Sequence, residues 1–202
     1  MTALPNAPAA ARNSDAILEV LRHEFSGARA VLEIGSGTGQ HAVYFAAELP
    51  GLTWQPSDLA EYHDSIQAWI AARGGENVLE PLLLDVREPG PVAERYDAIF
   101  SANTAHIMHV GTVAAMFGLA GRLLDSGGVF CLYGPFNLHG AFTSSSNEEF
   151  DGSLRARDPG MGLRDVADLE RLAGENGMKL SRRYAMPANN MLLVFSRDGI
   201  SR

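Results

Sequence analysis

Covalent staples are missing from this chain. One of its 202 residues is cysteine, which excludes a disulfide framework and suits a reducing compartment. Positive charge is scarce as well: 16 Lys and Arg stand against 24 Asp and Glu, a net charge of −8 at pH 7. Phosphate binding needs a basic face, so nucleic acid is not expected as a partner. No apolar run is long enough to span a bilayer, and the opening "MTALPNAPAAAR" lacks the compact hydrophobic segment of a signal peptide. The reading is therefore a cytoplasmic protein with no membrane partner. Internal repeats and low-complexity tracts are also absent. The remainder, 46% hydrophobic and 20% charged, is ordinary globular composition, and residues 1–202 are read as a single domain with a self-sufficient core. Oligomeric state does not follow from any of this.

Along the chain, residues 1–12 read as a flexible Ala- and Pro-rich arm. Ser14 is placed to cap a helix whose inward side carries Ile17, Leu18, Leu21 and Phe25. Strands are expected at 30–34, 52–58, 78–86, 96–103 and 129–136. Helices are expected between them at 40–49, 59–73 and 112–124. Residues 137–164 lose all periodicity and read as a lid or substrate loop, because long connections are usually functional or disordered. A helix over 165–176 and two closing strands, "KLSRRYAM" and "NMLLVFS", complete the pattern. The alternation specifies an α/β fold: a Rossmann-like, seven-stranded, mostly parallel sheet with one antiparallel C-terminal strand and helices on both faces.

The chemistry concentrates in "VLEIGSGTGQH", an apolar strand running into Gly35, Gly37 and Gly39 and then a helix start. A bare glycine turn lets backbone approach a charged small cofactor while free helix N–H groups face it. The spacing is G-x-G-x-G, not the G-x-G-x-x-G that accommodates a dinucleotide pyrophosphate. S-adenosyl-L-methionine has no pyrophosphate and fits the shorter turn. Glu33, ahead of the turn, supplies negative charge near its cationic end. Asp58, followed by Leu59 at the end of strand two, can accept ribose hydroxyls; it is equally placed to cap the next helix. Asp85, followed by Val86 at the end of strand three, offers an adenine acceptor beside an apolar wall, or is an ordinary turn aspartate.

These segments, with "ARNSDAILEVL", "WQPSD", "SANTAHI", "LYGPF", "TSSSNEEFD", "LRARDP" and "MPANNMLLVF", resemble class I S-adenosylmethionine-dependent methyltransferases. More narrowly, the chain is similar to the uncharacterised methyltransferase-like family that contains methyltransferase-like protein 26. The resemblance implies the seven-stranded methyltransferase fold and its cofactor, but no substrate. The chain departs from the family pattern in two places. The segment "NTAHIMHV" lacks a Met-Leu before its first His and a Pro-Trp after it, and "DPGMGLRD" lacks a Trp before its second Gly.

Methyl transfer is an in-line displacement, so alignment can carry much of the rate and a base is needed only for a protonated acceptor. Asn103, at the end of strand four, should flank the transfer point. His106 is the candidate base, or else a core histidine. No metal site is expected, since His106-x-x-His109 has no third ligand nearby. Tyr133, Phe136, Asn137 and His139 are candidate substrate contacts, with Arg155 and Arg157 in the lid placed to pair with an anionic group. Cys131 reads as a buried small hydrophobe. The Asn-Pro-Pro-aromatic motif of amino-group base methylation is missing. The leading expectation is a methyltransferase with a small-molecule substrate. The alternatives are a cofactor-binding pseudoenzyme or interaction protein on the same fold, and an aminopropyl transferase or nicotinamide-dependent reductase.

Overall fold

Seven strands form one sheet in the order β3-β2-β1-β4-β5-β9-β8. In chain order they are β1 (Ala30–Ile34), β2 (Thr53–Asp58), β3 (Leu82–Leu83), β4 (Tyr96–Ala102), β5 (Leu124–Gly134), β8 (Met178–Met186) and β9 (Asn190–Arg197). A two-residue pair, β6 (Phe136–Asn137) and β7 (Arg164–Asp165), stands apart. The structure, a computed structural model, describes residues 4–90, 92 and 95–198. β1 to β5 pair in parallel, and β9 alone is reversed, antiparallel to both β5 and β8. This is the α/β sheet the strand–helix alternation specifies. The β8–β9 turn carries Ala188 and Asn189 at φ 56° and 58°, the mirror-image turn that matches strand twist.

Helices cover both faces because the central strands are apolar on both sides. Leu32, Ile99, Phe130, Leu132, Leu193 and Phe195 pack with residues of α4 (Val110–Leu123) and α6 (Val166–Glu175). Their neighbours in sequence, Val31, Ala98, Phe100, Cys131, Leu192 and Val194, face α1 (Pro8–Glu24) and α2 (Gln40–Glu48). That one-residue alternation is the period of a strand buried on two sides. Within the second core, Phe45, Trp54 and Phe100 are fully buried, with ring centroids 5.4–6.0 Å apart. Among the described residues no helix is long and apolar enough to cross a membrane.

The structure departs from the sequence reading in three places. The flexible arm is largely helix: α1 starts at Pro8, and its proline occupies the first turn, where no N–H is needed. The alanines after it are strong helix formers. Ser14 therefore lies inside α1 and donates to the Ala10 carbonyl at 2.6 Å instead of capping. Residues 1–3 of that expected arm lie outside the described residues. Strand three shrinks from 78–86 to two residues, because Pro56 in β2 and Pro81 ahead of β3 offer no N–H. Residues 137–164, expected as a loop, contain α5 (Ser145–Arg157) and end where β7 pairs with β6. The inward positions of α5 are Asn147, Asp151 and Leu154; two of the three are polar, so the helix left no apolar periodicity to find.

Truncating the central ring of the aromatic core gives a direct stability test. Phe100→Ala should lower the urea-measured unfolding free energy by about 3–5 kcal/mol. A loss under about 1 kcal/mol, typical of a surface change, would contradict the packing described.

Candidate functional site

The order β3-β2-β1-β4-β5 reverses direction of build-up at β1 and β4, and ligands in such sheets sit outside the carboxyl ends of the strands at that point. A cavity of about 550 Å³ opens there. Its floor is the turn after β1 (Ile34, Gly35, Ser36, Gly37, Thr38), with Asp58 and Leu59 after β2. Leu84, Asp85, Val86 and Arg87 come after β3, and Ala102, Asn103 and Thr104 after β4. Ile107, Met108, His109 and Tyr62 close the sides.

The three glycines do three different things. A Cβ on Gly39 would lie 2.9 Å from the Ile66 Cα, so this glycine lets α2 approach α3 (Ala60–Arg73). A Cβ on Gly35 would meet the Thr104 side chain at 2.6 Å. Gly37 has φ +56° with nothing within 4 Å of a Cβ position, leaving bare backbone on the cavity side. Its N–H is already engaged: it donates to Asp58 Oδ2 at 2.7 Å, while Leu59 N–H donates to Asp58 Oδ1 at 2.8 Å. Asp58 thus clasps the glycine turn to the tip of β2. It does not cap α3, whose N-cap is Leu59 with no side-chain bond. Burial raises the Asp58 carboxyl above the usual range, and the two N–H bonds oppose that. Each oxygen retains further acceptor capacity, and the residue lines the cavity.

Glu33 is turned away from the cavity. It accepts from Trp54 Nε1 and Ser36 Oγ, each at 3.0 Å, and braces the turn from behind. Burial pushes its carboxyl up to about 7 despite both bonds. Asp85 and Val86 line the cavity as the sequence suggested, but Arg87 grips both Asp85 oxygens, holding that carboxyl below the usual range.

A second cavity of about 400 Å³ adjoins the first, and Ala9 and Asn103 line both. Asn103 adopts φ 60° and donates its N–H to the Tyr133 carbonyl at 2.9 Å; a left-handed asparagine at such a junction is a strained position typical of sites. The rest of the second wall is His106, Pro135, Ser146, Asn147, Phe150, Ala188 and Asn190. Burial, with Arg164 and Arg157 nearby, lowers the His106 imidazole to about 4. Arg164 itself is buried and donates to the carbonyls of Ala105, Met108 and Gly160, fixing the segment that carries His106.

The remaining substrate candidates line neither cavity. Tyr133 points into the α1-side core, where its hydroxyl meets Asn13, and Phe136 is buried on the opposite face. Both placements come from strand alternation, which sends neighbours into the two cores. Asn137 has a buried Oδ1 with no partner among the described residues, and His139 sits exposed in a turn at φ 52°. Arg155 pairs with Asp151 at 2.6 Å, and Arg157 reaches Met161 Sδ at 3.6 Å. The residues that take their place, Ser146, Asn147, Phe150, Ala188 and Asn190, fall in or beside "TSSSNEEFD" and "MPANN".

Sequence reading also missed the cover. Ala7, Ala9 and Ala10 wall the first cavity. They are held there by Trp69 Nε1 donating to the Pro5 carbonyl at 2.7 Å and by Gln40, which bonds the Ala7 N–H and Asn6. His41 bonds Asn13 at 2.8 Å and stacks on Phe45, and burial lowers its imidazole to about 4.

Known proteins share this architecture. A family model described as "Protein of unknown function (DUF938)" matches residues 4–197. Among solved structures, an O-methyltransferase family protein from Burkholderia thailandensis is similar at TM-score 0.78 and 19% identity, over 96% of this chain and 59% of that one. Mitomycin 7-O-methyltransferase MmcR matches at TM-score 0.82 and 16% identity, over 94% and 54%. PigF, solved with SAH, matches at 0.75 and 18%, over 90% and 54%. The chain spans a little over half the length of these structures. At such identities they show the fold alone, a seven-stranded, mostly parallel Rossmann-like sheet.

The buried brace behind the turn has a pH signature. The Glu33 carboxyl is raised above its ordinary value, so the stability its protonated form confers is complete below about pH 4.5 and lost as pH rises through about 7. Glu33→Gln should therefore gain on the wild type by roughly 2–3 kcal/mol between pH 4.5 and 8, read by chemical denaturation. A wild-type-to-variant difference that stays flat with pH would show that Glu33 does not titrate there.

Proposed function

The chain belongs to the family described as "Protein of unknown function (DUF938)", and from that premise and the two joined cavities we propose an S-adenosylmethionine-dependent methyltransferase acting on a small-molecule acceptor. The narrower kinship with the methyltransferase-like family containing methyltransferase-like protein 26 belongs to the same reading. So do a single catalytic domain over residues 1–202, a cytoplasmic location and an acceptor that is neither nucleic acid nor membrane. One observation carries the proposal. The bare face of Gly37, the Asp58 carboxylate and the Leu84–Val86 wall surround one volume, which opens at Asn103 into another.

The residues present fit the cofactor. Gly37 leaves open a cradle that a side chain would fill. A volume near 550 Å³ lies within the range of about 300–1,000 Å³ usual for small-molecule sites. The free lone pairs of Asp58 accept ribose hydroxyls, and Leu59, Val86 and Ile107 supply apolar surface for the adenine. Asp85, with its charge shared by Arg87, acts as a local acceptor and not as a free carboxylate. When bound, the cofactor supplies a methyl group already activated by a positively charged sulfur. The chain's own contribution is alignment and exclusion of water: Asn103 and Ala9 form the opening through which the acceptor must approach, and the segment 5–10 closes the outer side. His106 faces the acceptor chamber and is neutral across the physiological range. With its proton affinity lowered, it suits hydrogen bonding and orientation more than full deprotonation of a weakly acidic hydroxyl.

Calorimetric titration with S-adenosylmethionine tests this, with NAD as the comparator. Binding of the former and none of the latter is expected. Asp58→Ala should weaken S-adenosylmethionine by about 2–3 kcal/mol, the scale of lost charge-assisted hydrogen bonds, while His106→Ala leaves it unchanged. Absence of heat at millimolar S-adenosylmethionine would end the proposal. An unaltered affinity in Asp58→Ala would remove Asp58 from the site.

A further inference from the structure

The second cavity carries features that the methyltransferase reading does not use. α5 begins at its rim: the 13-residue helix is capped by Ser144, whose side chain accepts from the Asn147 N–H. Ser146 and Asn147, in the first turn, line the cavity. The N–H groups of Ser145 and Ser146 have no intramolecular partner among the described residues. Such groups, with the positive end of the helix dipole, favour an anion. The first turn is held in place by the β8–β9 turn, through Asn147 Nδ2 to the Asn189 carbonyl at 3.0 Å and Asn189 Nδ2 to Ser146 Oγ at 3.1 Å.

An independent observation points the same way. His106 is 7% exposed and lines the same cavity. Its ring makes no hydrogen bond among the described residues; it meets the Phe150 ring edge-to-face, at 5.2 Å between centroids. The ring nitrogens are not among the sealed, unpartnered polar atoms, and a neutral ring in the cavity wall has one N–H to donate to what occupies it. The charged groups that act on His106 are both cationic and stand behind the wall. Arg157 and Arg164 act on His106 from nearby, yet no Lys, Arg, Asp or Glu stands among the lining residues. Asp151, the buried acid of α5, is engaged by Arg155 and the Leu163 N–H, and Glu148 and Glu149 are exposed. With no guanidinium or ammonium in the wall, a monoanion is favoured over a phosphate dianion, which calls for more charge-assisted partners.

We propose that the second cavity binds a carboxylate, held between the N-terminus of α5 and the His106 ring, so that the acceptor is a small carboxylic acid in its ionised form. Phe150, 38% exposed, offers its ring to the body of that acid. This rests on the reading of the first cavity as the cofactor site, and the test separates the two.

The test uses the full chain loaded with S-adenosylhomocysteine and follows the His106 ring resonances by NMR, assigned through His106→Gln. Benzoate is the probe and benzamide its neutral comparator. Benzoate should shift the His106 resonances saturably and benzamide should not. Ser145→Asp places a carboxylate in the first turn of α5, next to the lining residue Ser146; it favours the helix N-terminus, so the fold is kept. It should weaken benzoate about tenfold by like-charge repulsion and leave S-adenosylmethionine affinity unchanged. No saturable shift with benzoate, an equal response to benzamide, or full benzoate affinity in Ser145→Asp would overturn the carboxylate site. Failure of S-adenosylmethionine to bind the wild type would instead overturn the cofactor reading beneath it.

Discussion

The bond from the Gly37 N–H to Asp58 is the constraint on which the site depends. A glycine turn is soft by composition, and three glycines in five residues leave the backbone many ways to run. Here it has one. The Ser57 carbonyl accepts from both Gly35 and Ser36, and Ser36 Oγ accepts from the Ser57 N–H. Glu33 holds Ser36 from behind, and Asp58 holds Gly37 in front. β1 and β2 are thus joined beyond their ladder, and the carboxylate that fixes the loop also lines the cavity. One residue thus fixes the shape of the turn and lines the proposed cofactor cavity.

The second organising fact is that two volumes meet at a strained residue. Asn103 can take its left-handed conformation because its N–H is anchored to the Tyr133 carbonyl across the β4–β5 ladder. The next segment, 104–109, is held by Arg164 through the Ala105 and Met108 carbonyls, and the Gly162 N–H donates to the His106 carbonyl. The excursion between β6 and β7 therefore does more than cover a chamber. Its far end clamps the segment carrying His106, and its near end, at α5, makes the opposite wall. His109 and Asp158, 2.9 Å apart, fasten the same two segments at the outer edge.

Much of this was legible in the residues, and the rest was hidden for identifiable reasons. The alternation of Val31 and Leu32, or Phe130 and Cys131, between two cores is the pattern of a doubly covered strand, so the sheet could be read. The acidic strand tips Asp58 and Asp85 could be placed by spacing alone. Glu33 could not be assigned a direction, because a strand residue next to a turn faces either the ligand or the interior, and Trp54 decided it. Tyr133 and Phe136 looked like a substrate floor because aromatics at a strand end often are. Register sent one to each core. α5 escaped notice because its inward side carries Asn147 and Asp151, whose value lies in hydrogen bonds across the fold, invisible to a search for apolar period. The N-terminal cover escaped because its anchors, Gln40 and Trp69, lie 34 and 64 residues away from Asn6 and Pro5 in sequence.

The most direct measurement is a crystal structure of the full chain grown with S-adenosylhomocysteine. The expected placement puts the ribose on Asp58, the adenine between Leu59 and Val86, and the sulfur facing Asn103 at the mouth of the second cavity. Density for the compound anywhere else, or ribose hydroxyls that leave Asp58 bonded only to Gly37 and Leu59, would contradict it.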